Sequence, residues 1–219
     1  MKRKYQLVLL MCLTLPLYGK VNQNKDFQVW ASWILQKKLS EKWSTHLMTE
    51  YRYGHDAKEM YLMFSQLTFS YAWMKWLSVI PGYRQRWSAD PVHRGAYVPL
   101  YEPIFALTLH FEKNGWKLSD RNRVDYVIVD GGDDAWIYRN KFSLTSPWKM
   151  AKAKCVPYFE DEFFWVEKSG IAQNRVWIGG IFEFSDHFSG KLSYLLRHLK
   201  LPRGWRHQNA LGLQGIYTF

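Results

Sequence analysis

The feature that most limits the fold of this chain is an alternation of apolar and polar residues that recurs in most of eleven segments. In the segment at 27–35, Phe27, Val29 and Trp33 share one parity, and Gln28 and Ser32 share the other. A period of two places successive side chains on opposite faces of a β-strand. Each segment is therefore predicted to be a strand with one apolar face, and the chain is predicted to be all-β.

The first residues of the chain have the features of a cleaved export signal. The basic residues at 2–4 precede an apolar run, and Gly19 is a small residue suited to the position before a cleavage site. The run is shorter than the roughly 20 apolar residues that span a bilayer, which argues against a transmembrane anchor. We therefore predict a signal peptide at 1–19 and a β-barrel domain at 20–219.

An exported chain of alternating strands is typical of an outer-membrane barrel, in which only every second residue faces lipid. Short turns and longer polar loops also alternate along this chain, as they do in such barrels. Closed barrels of this class usually have an even number of strands, so we predict a single antiparallel up-and-down transmembrane β-barrel of about ten to twelve strands, with twelve favoured. The predicted location is the outer membrane of a Gram-negative-type bacterium. The short turns are expected at 39–42, 72–75, 112–115 and 185–189, and the longer loops at 54–59, 88–96, 130–134 and 201–208.

Tryptophan follows three of the short turns, at Trp43, Trp76 and Trp116. The amphipathic indole ring prefers the membrane interface, so this recurrence predicts one interfacial aromatic girdle. Alternation alone does not separate a lipid-facing surface from a protein core. A soluble periplasmic β-sandwich or a lipid-binding barrel therefore stays open as the second interpretation.

The last strand carries a further membrane feature, with Tyr217 and Phe219 on its apolar parity. It resembles the terminal assembly signal of bacterial outer-membrane proteins, in which an aromatic residue ends the chain and another precedes it by two. Gly212 and Gly215 flank the position where that signal usually has its glycine, so the match is partial. The resemblance implies that the barrel-assembly machinery binds this strand and that outer-membrane lipid surrounds the barrel.

Several segments together suggest a family. The opening DFQVWASWILQKKLSEKWSTHLMTEYRYG and the later pieces PGYRQRW, DRNRVDY, YRNKFSL and NRVWIGG resemble the "domain of unknown function 2490" family. The resemblance covers nearly all of the chain after the predicted signal peptide. It implies an outer-membrane β-barrel without an assigned activity, and it transfers no catalytic residue to this chain.

Charged residues on the inward parity are predicted to form a band inside the barrel, nearer the outer mouth. Two interpretations of this band stay open. The first is structural, because small barrels fill their interiors with side chains and salt bridges would hold the shape. The second is a narrow pore for small anionic solutes, because arginine-rich linings favour anions. The band comprises Glu50, Arg52, Arg84, Arg86, Glu102, Arg121, Arg123, Arg139, Glu160, Glu162, Arg175 and Arg197.

An outer-membrane lipid-modifying enzyme is the third class, and the sequence gives it little support. His198 is expected to face outward and Ser193 inward, and neither G-x-S-x-G nor H-E-x-x-H occurs. Cys155 belongs to no Cys/His cluster, so we predict no catalytic residue, no metal and no cofactor. The net charge is +11, but the basic residues are scattered, so no nucleic-acid partner is expected; the oligomeric state is left open.

Two segments break the alternation. Asp120 and Asn122 share a parity with apolar neighbours, and Asp161 is ambiguous in the same way. Proline also lies inside four predicted strands, where it removes a ladder donor, so we expect bulges or strand ends there. These prolines are Pro81, Pro99, Pro103 and Pro157.

Overall fold

One β-sheet closes on itself in the computed structural model of this chain, which describes residues 25–90, 95–130, 132–150, 154–167, 169–202 and 204–219. The predicted signal peptide at 1–19 lies outside the described residues. In the described part of the chain, no helix is long and apolar enough to cross a membrane. The strands found there are β1 (Phe27–Lys38), β2 (Trp43–Gly54), β3 (Glu59–Met74), β4 (Leu77–Ala89), β5 (Tyr97–Lys113), β6 (Trp116–Val129), β7 (Ala135–Thr145), β8 (Cys155–Val166), β9 (Gly170–Glu183), β10 (Phe188–Leu201) and β11 (Gly204–Thr218).

The first and last strands close the barrel by pairing in parallel, from Phe27 opposite Asn209 to Gln36 opposite Thr218. All other neighbouring strands pair antiparallel. The prediction of a closed all-β barrel of about ten to twelve strands is confirmed; the described residues form eleven strands and not the favoured twelve. An even number is required only when the closing pair is also antiparallel, and the parallel β1–β11 pair removes that requirement.

The wall of the barrel is apolar outside and polar inside. On β5, Phe105 is 51% exposed on the outer face, whereas Glu102 is 1% exposed on the inner face. A small buried apolar cluster of Trp30, Leu195 and Ala210 lies where β10, β11 and β1 meet. The buried residues of the described wall are therefore mostly polar or charged.

One of the predicted connections is found as expected and another is not. Asn114 and Gly115 have φ of 51° and 77° and form a two-residue connection between β5 and β6. Positive φ at both positions is the requirement of the type I′ hairpin, so the predicted turn is confirmed. The loop predicted at 201–208 is wrong, because β11 begins at Gly204 and its polar residues already alternate.

The prolines do not produce the expected bulges or strand ends. The ladder between β3 and β4 is interrupted beside Pro81, yet the register is the same on both sides. A missing N–H removes one hydrogen bond without inserting a residue, so the strand continues. Register shifts occur elsewhere in the described strands, between Arg52 and Tyr53, Ala72 and Met74, and Phe164 and Trp165.

The polar residues that break the alternation form a cluster on the outer wall of β6 and β7. Asn140 Nδ2 donates to Asp120 Oδ1 at 2.6 Å, and Tyr138 donates its hydroxyl hydrogen to Asn122 Oδ1 at 2.5 Å. A second pair lies on β8 and β9, where an asparagine donates to Asp161 at 2.6 Å. The outward polar residues therefore satisfy one another across neighbouring strands.

Candidate functional site: a cationic lumen

The lumen contains a cavity of about 490 Å³, and all twelve residues of the predicted charge band line it. Three further charged residues line the same cavity: Asp125, Lys141 and Lys191. The parity rule could have found them, because Asp125 and Lys141 share the inward face of β6 and β7 with predicted arginines. The cationic lining residues number ten, namely Arg52, Arg84, Arg86, Arg121, Arg123, Arg139, Lys141, Arg175, Lys191 and Arg197; the anionic ones number five, namely Glu50, Glu102, Asp125, Glu160 and Glu162.

Glu162 on β8 is the most heavily shared carboxylate. Arg139 donates to its Oε1 from Nη2 at 2.7 Å and from Nε at 3.2 Å. Arg121 Nη2 lies 2.9 Å from the same oxygen, and Arg175 Nη1 lies 3.6 Å from Oε2. One buried carboxylate therefore holds guanidinium groups from three other strands, β6, β7 and β9.

Asp125 on β6 extends the network towards β3. Arg139 Nη1 lies 3.3 Å from its Oδ2, and Arg123 Nε donates to its Oδ1. Arg123 Nη1 also donates to Gln66 Oε1 at 3.1 Å, and Arg84 Nη2 donates to the same amide oxygen at 2.7 Å. The contact between Arg123 and Gln66 joins non-neighbouring strands, so it crosses the lumen.

Glu102 on β5 completes the row. Arg84 Nη1 lies 2.9 Å from its Oε2, and Arg86 Nη2 lies 2.8 Å from its Oε1. Ion pairs and the Gln66 amide thus connect β4 with β9 without a break. Removing either partner of such a pair would leave the other as an uncompensated buried charge, so the paired arrangement is strongly favoured.

Glu160 forms a separate group nearer the short turns. Its carboxylate contacts Lys141, and Lys191 Nζ lies 3.4 Å from its Oε1. At the loop side, Arg52 Nε donates to Glu50 Oε1 at 2.6 Å on the same strand. The charged lining residues thus form three groups: a lower group of Glu160 with two unpredicted lysines nearer the short turns, a central arginine network, and an upper arginine group at the loop side.

The matched family fits this architecture. A family model described as "Protein of unknown function (DUF2490)" matches residues 27–208, which begins at the first residue of β1 and ends within β11. The chain belongs to the DUF2490 family. No curated protein matches it. Membership therefore confirms the resemblance found in the sequence and supplies no activity.

In this DUF2490 chain, Ser193 and His198 lie on opposite faces of β10, so these two residues do not form a nucleophile–base pair. Ser193 is buried on the lumen side of β10, whereas the ring of His198 packs against that of His207, with centroids 4.5 Å apart. A base and a nucleophile must lie within hydrogen-bond reach of each other. The glutamates at 160 and 162 are both engaged by cations, and no group of three or more metal-ligating residues occurs in the described ranges.

The predicted interfacial residues lie on the outer surface of this family member. Trp43 and Trp76 are exposed beside their turns, and Trp116 packs edge-on against Trp148 with ring centroids 5.2 Å apart. Trp148 follows β7 on the same side of the barrel, and the sequence argument missed it because no short turn precedes it. Both aromatic residues of the terminal strand, Tyr217 and Phe219, are exposed on that side.

Proposed function

We propose that this chain is an outer-membrane barrel whose cationic lumen takes up small anions and lets them pass. The observation that carries the proposal is the charge of the cavity lining, where ten basic residues face five carboxylates. A lining with a formal excess of five positive charges attracts anions and repels cations. The proposed location is the outer membrane, with lipid around the wall and with the assembly machinery binding β11.

The outer face supports a lipid environment. Large apolar side chains such as Phe105, Phe111 and Ile178 are more than half exposed there, which is costly in water when such residues are contiguous. Aromatic residues lie towards both ends of the strands, with Trp43 on the turn side and Trp136 on the loop side. Outer-membrane barrels have an apolar band between two aromatic girdles, and this distribution fits that arrangement.

The central arginine network favours a second candidate, a closed structural barrel. The contact of Arg123 with Gln66 joins β6 to β3, and that of Arg121 with Glu162 joins β6 to β8, so both reach across the interior to strands that are not neighbours. In that case the network acts as a plug, and the excess charge is balanced by solvent ions without transport. The two candidates differ in one measurable property, which is conductance.

The first experiment tests the barrel and its location. The protein is fractionated from cells, and the membrane extract is run on a detergent gel with and without boiling. We expect the protein in the outer-membrane fraction, with a mobility shift on boiling that shows a closed, detergent-resistant barrel. Recovery from the soluble periplasm without a shift would refute the proposal and favour a soluble lipid-binding barrel.

The second experiment tests passage of anions. Purified barrel is inserted in a planar bilayer between unequal KCl solutions, and the reversal potential is measured. We expect a sign that shows chloride passing more readily than potassium, and a smaller potential for Arg86→Gln than for the matched exposed control Lys37→Gln. A heat-modifiable barrel that carries no current would support the structural plug, and cation selectivity would contradict the charge argument.

A further inference from the structure

We infer that the loop-side end of the lumen is a binding site for a phosphate-class oxyanion, formed by Arg52, Arg175 and Arg197 around Trp30. The inference rests on the proposed function, because the ligand must enter the lumen, and it adds a specific binding site along the path. The three arginines come from β2, β9 and β10 and all line the cavity. They are called the upper arginine triad below.

The indole ring of Trp30 organises the triad. The guanidinium carbons of Arg52, Arg175 and Arg197 lie 3.7, 4.9 and 5.9 Å from its ring centroid. The ring itself is fixed, because it is buried and its Nε1 donates to Gln28 Oε1 at 2.9 Å. Cation–π attraction of this kind offsets part of the cost of gathering three cations at one place.

The triad lacks sufficient counter-charge. The one carboxylate within 4.0 Å of Arg175 among the described residues is that of Glu162, at 3.6 Å, and Arg121 and Arg139 share it. Arg197 has no carboxylate within 4.0 Å among the described residues, and its hydrogen bonds go to the neutral oxygens of Gln173 and Gln208, at 2.8 and 2.9 Å. Like charges gathered around one ring repel one another, and an anion bound between them would lower the free energy of the barrel.

The triad also has one buried donor that no acceptor of the described residues uses. Arg175 is 7% exposed, yet its Nε is buried without a hydrogen-bond partner in the described structure. A buried donor without a hydrogen-bond partner costs about 1–3 kcal/mol, so a ligand oxygen that accepts from this Nε would lower the free energy of the barrel. Guanidinium N–H groups form a planar fork that matches the oxygens of phosphate, which spherical chloride cannot use in the same way.

The chemistry of the site selects the class of ligand. Among the described residues, Glu50 contacts Arg52 and the shared Glu162 contacts Arg175, while Arg197 has no carboxylate within 4.0 Å, so the site favours an anion that carries more than one negative charge. The cavity of about 490 Å³ is large enough for inorganic phosphate or pyrophosphate together with water. The ligand is a dissolved anion, because the triad faces the lumen and not the lipid.

The test measures binding of inorganic phosphate to purified, detergent-solubilised barrel by titration calorimetry at constant ionic strength in chloride. We expect saturable binding of one phosphate per barrel. Arg197→Gln should weaken it by about tenfold or more, the loss of one charge-assisted hydrogen bond. Arg86→Gln removes the same charge from the lumen wall outside the triad and should weaken binding by less. Arg197→Lys retains the charge without the fork and should lie between wild type and Arg197→Gln.

Folding of every variant is checked by its mobility shift on boiling, and Arg197→Lys carries the test if Arg197→Gln does not fold. No saturable phosphate binding to wild type would overturn the inference. Equal losses in Arg197→Gln and Arg86→Gln would also overturn it, because the whole lumen field, not the triad, would then bind the anion. Phosphate binding without bilayer current would support the site and refute passage, whereas anion-selective current without phosphate binding would do the reverse.

Discussion

Glu162→Gln is the substitution that most directly tests whether the lumen network holds this barrel together. The change keeps the size of the side chain and removes its charge. Arg139 would retain Asp125, with Nη1 3.3 Å from Oδ2, but Arg121 and Arg175 would lose the one carboxylate that each contacts among the described residues. Two buried or partly buried guanidinium groups would then lack a counter-charge.

The expected cost follows from burial. The Glu162 side chain is 2% exposed, so solvent screens its ion pairs far less than those of a surface residue. Removing one partner of a buried ion pair costs about 3–5 kcal/mol, because the remaining charge stays buried and uncompensated. We therefore expect Glu162→Gln to lower the free energy of unfolding by about this amount.

The assay is urea unfolding of the barrel refolded in lipid vesicles, followed by tryptophan fluorescence and by the mobility shift on gels. The matched control is Glu183→Gln, which removes a carboxylate that contacts Lys149 at an exposed strand end. We expect no measurable change in the control, because exposed ion pairs are worth little. Equal stabilities of the two variants would refute the claim that the central network supports the wall.

Three further predictions concern other parts of the barrel. Burial raises the pKa of Asp26 above its ordinary 3.8, so the folded state favours the neutral carboxyl. The stability that this carboxyl contributes is present below pH 3.8 and is lost as pH rises through the raised pKa. In parallel urea titrations, wild type should therefore lose stability relative to Asp26→Asn over that pH window. Ala57 has φ of 60°, so Ala57→Gly should stabilise the barrel by about 0.5–1 kcal/mol, whereas Ala31→Gly within β1 should destabilise it; an equal sign for both would contradict the strain. Asn140→Leu should cost about 1–3 kcal/mol in lipid because Asp120 loses its closest donor, and Asp120→Leu combined with Asn140→Leu should restore stability; no loss in the single variant would indicate that this wall faces water.

Much of the fold was predictable because each strand reports its own faces. Alternation around Glu102 and Phe105 is enough to orient β5, and Asn114 with Gly115 is enough to place its hairpin. The closing pair was not predictable in the same way. The residues of β11 alternate in the same way whether β1 runs parallel or antiparallel to them. The expectation of an even number of strands therefore led to the wrong favoured count.

In the candidate site, contacts between directly opposite residues could be predicted, whereas contacts that depend on the closed wall could not. The pair Arg84–Glu102 could be predicted, because these residues lie directly opposite each other on neighbouring strands. Lys141 lies opposite Glu162 by register but contacts Glu160, since long side chains choose the diagonal partner. Contacts such as Arg123 to Gln66 depend on the curvature of the closed wall and cannot be read from parity.

The excess of arginine in the lumen has a physical basis in how guanidinium groups use their two surfaces. Arg52 and Arg84 both approach the ring of Phe64, and Arg139 and Arg175 both approach that of Phe164. A planar cation that stacks through its face keeps its N–H edge free for hydrogen bonds. Aromatic rings can therefore hold more cations in a narrow lumen than the carboxylates neutralise, and the free edges point to where an anion would bind. The two lysines of the lower group also approach rings, Lys141 that of Trp177 and Lys191 that of Tyr158, but as compact charges without the planar fork they share one carboxylate, Glu160.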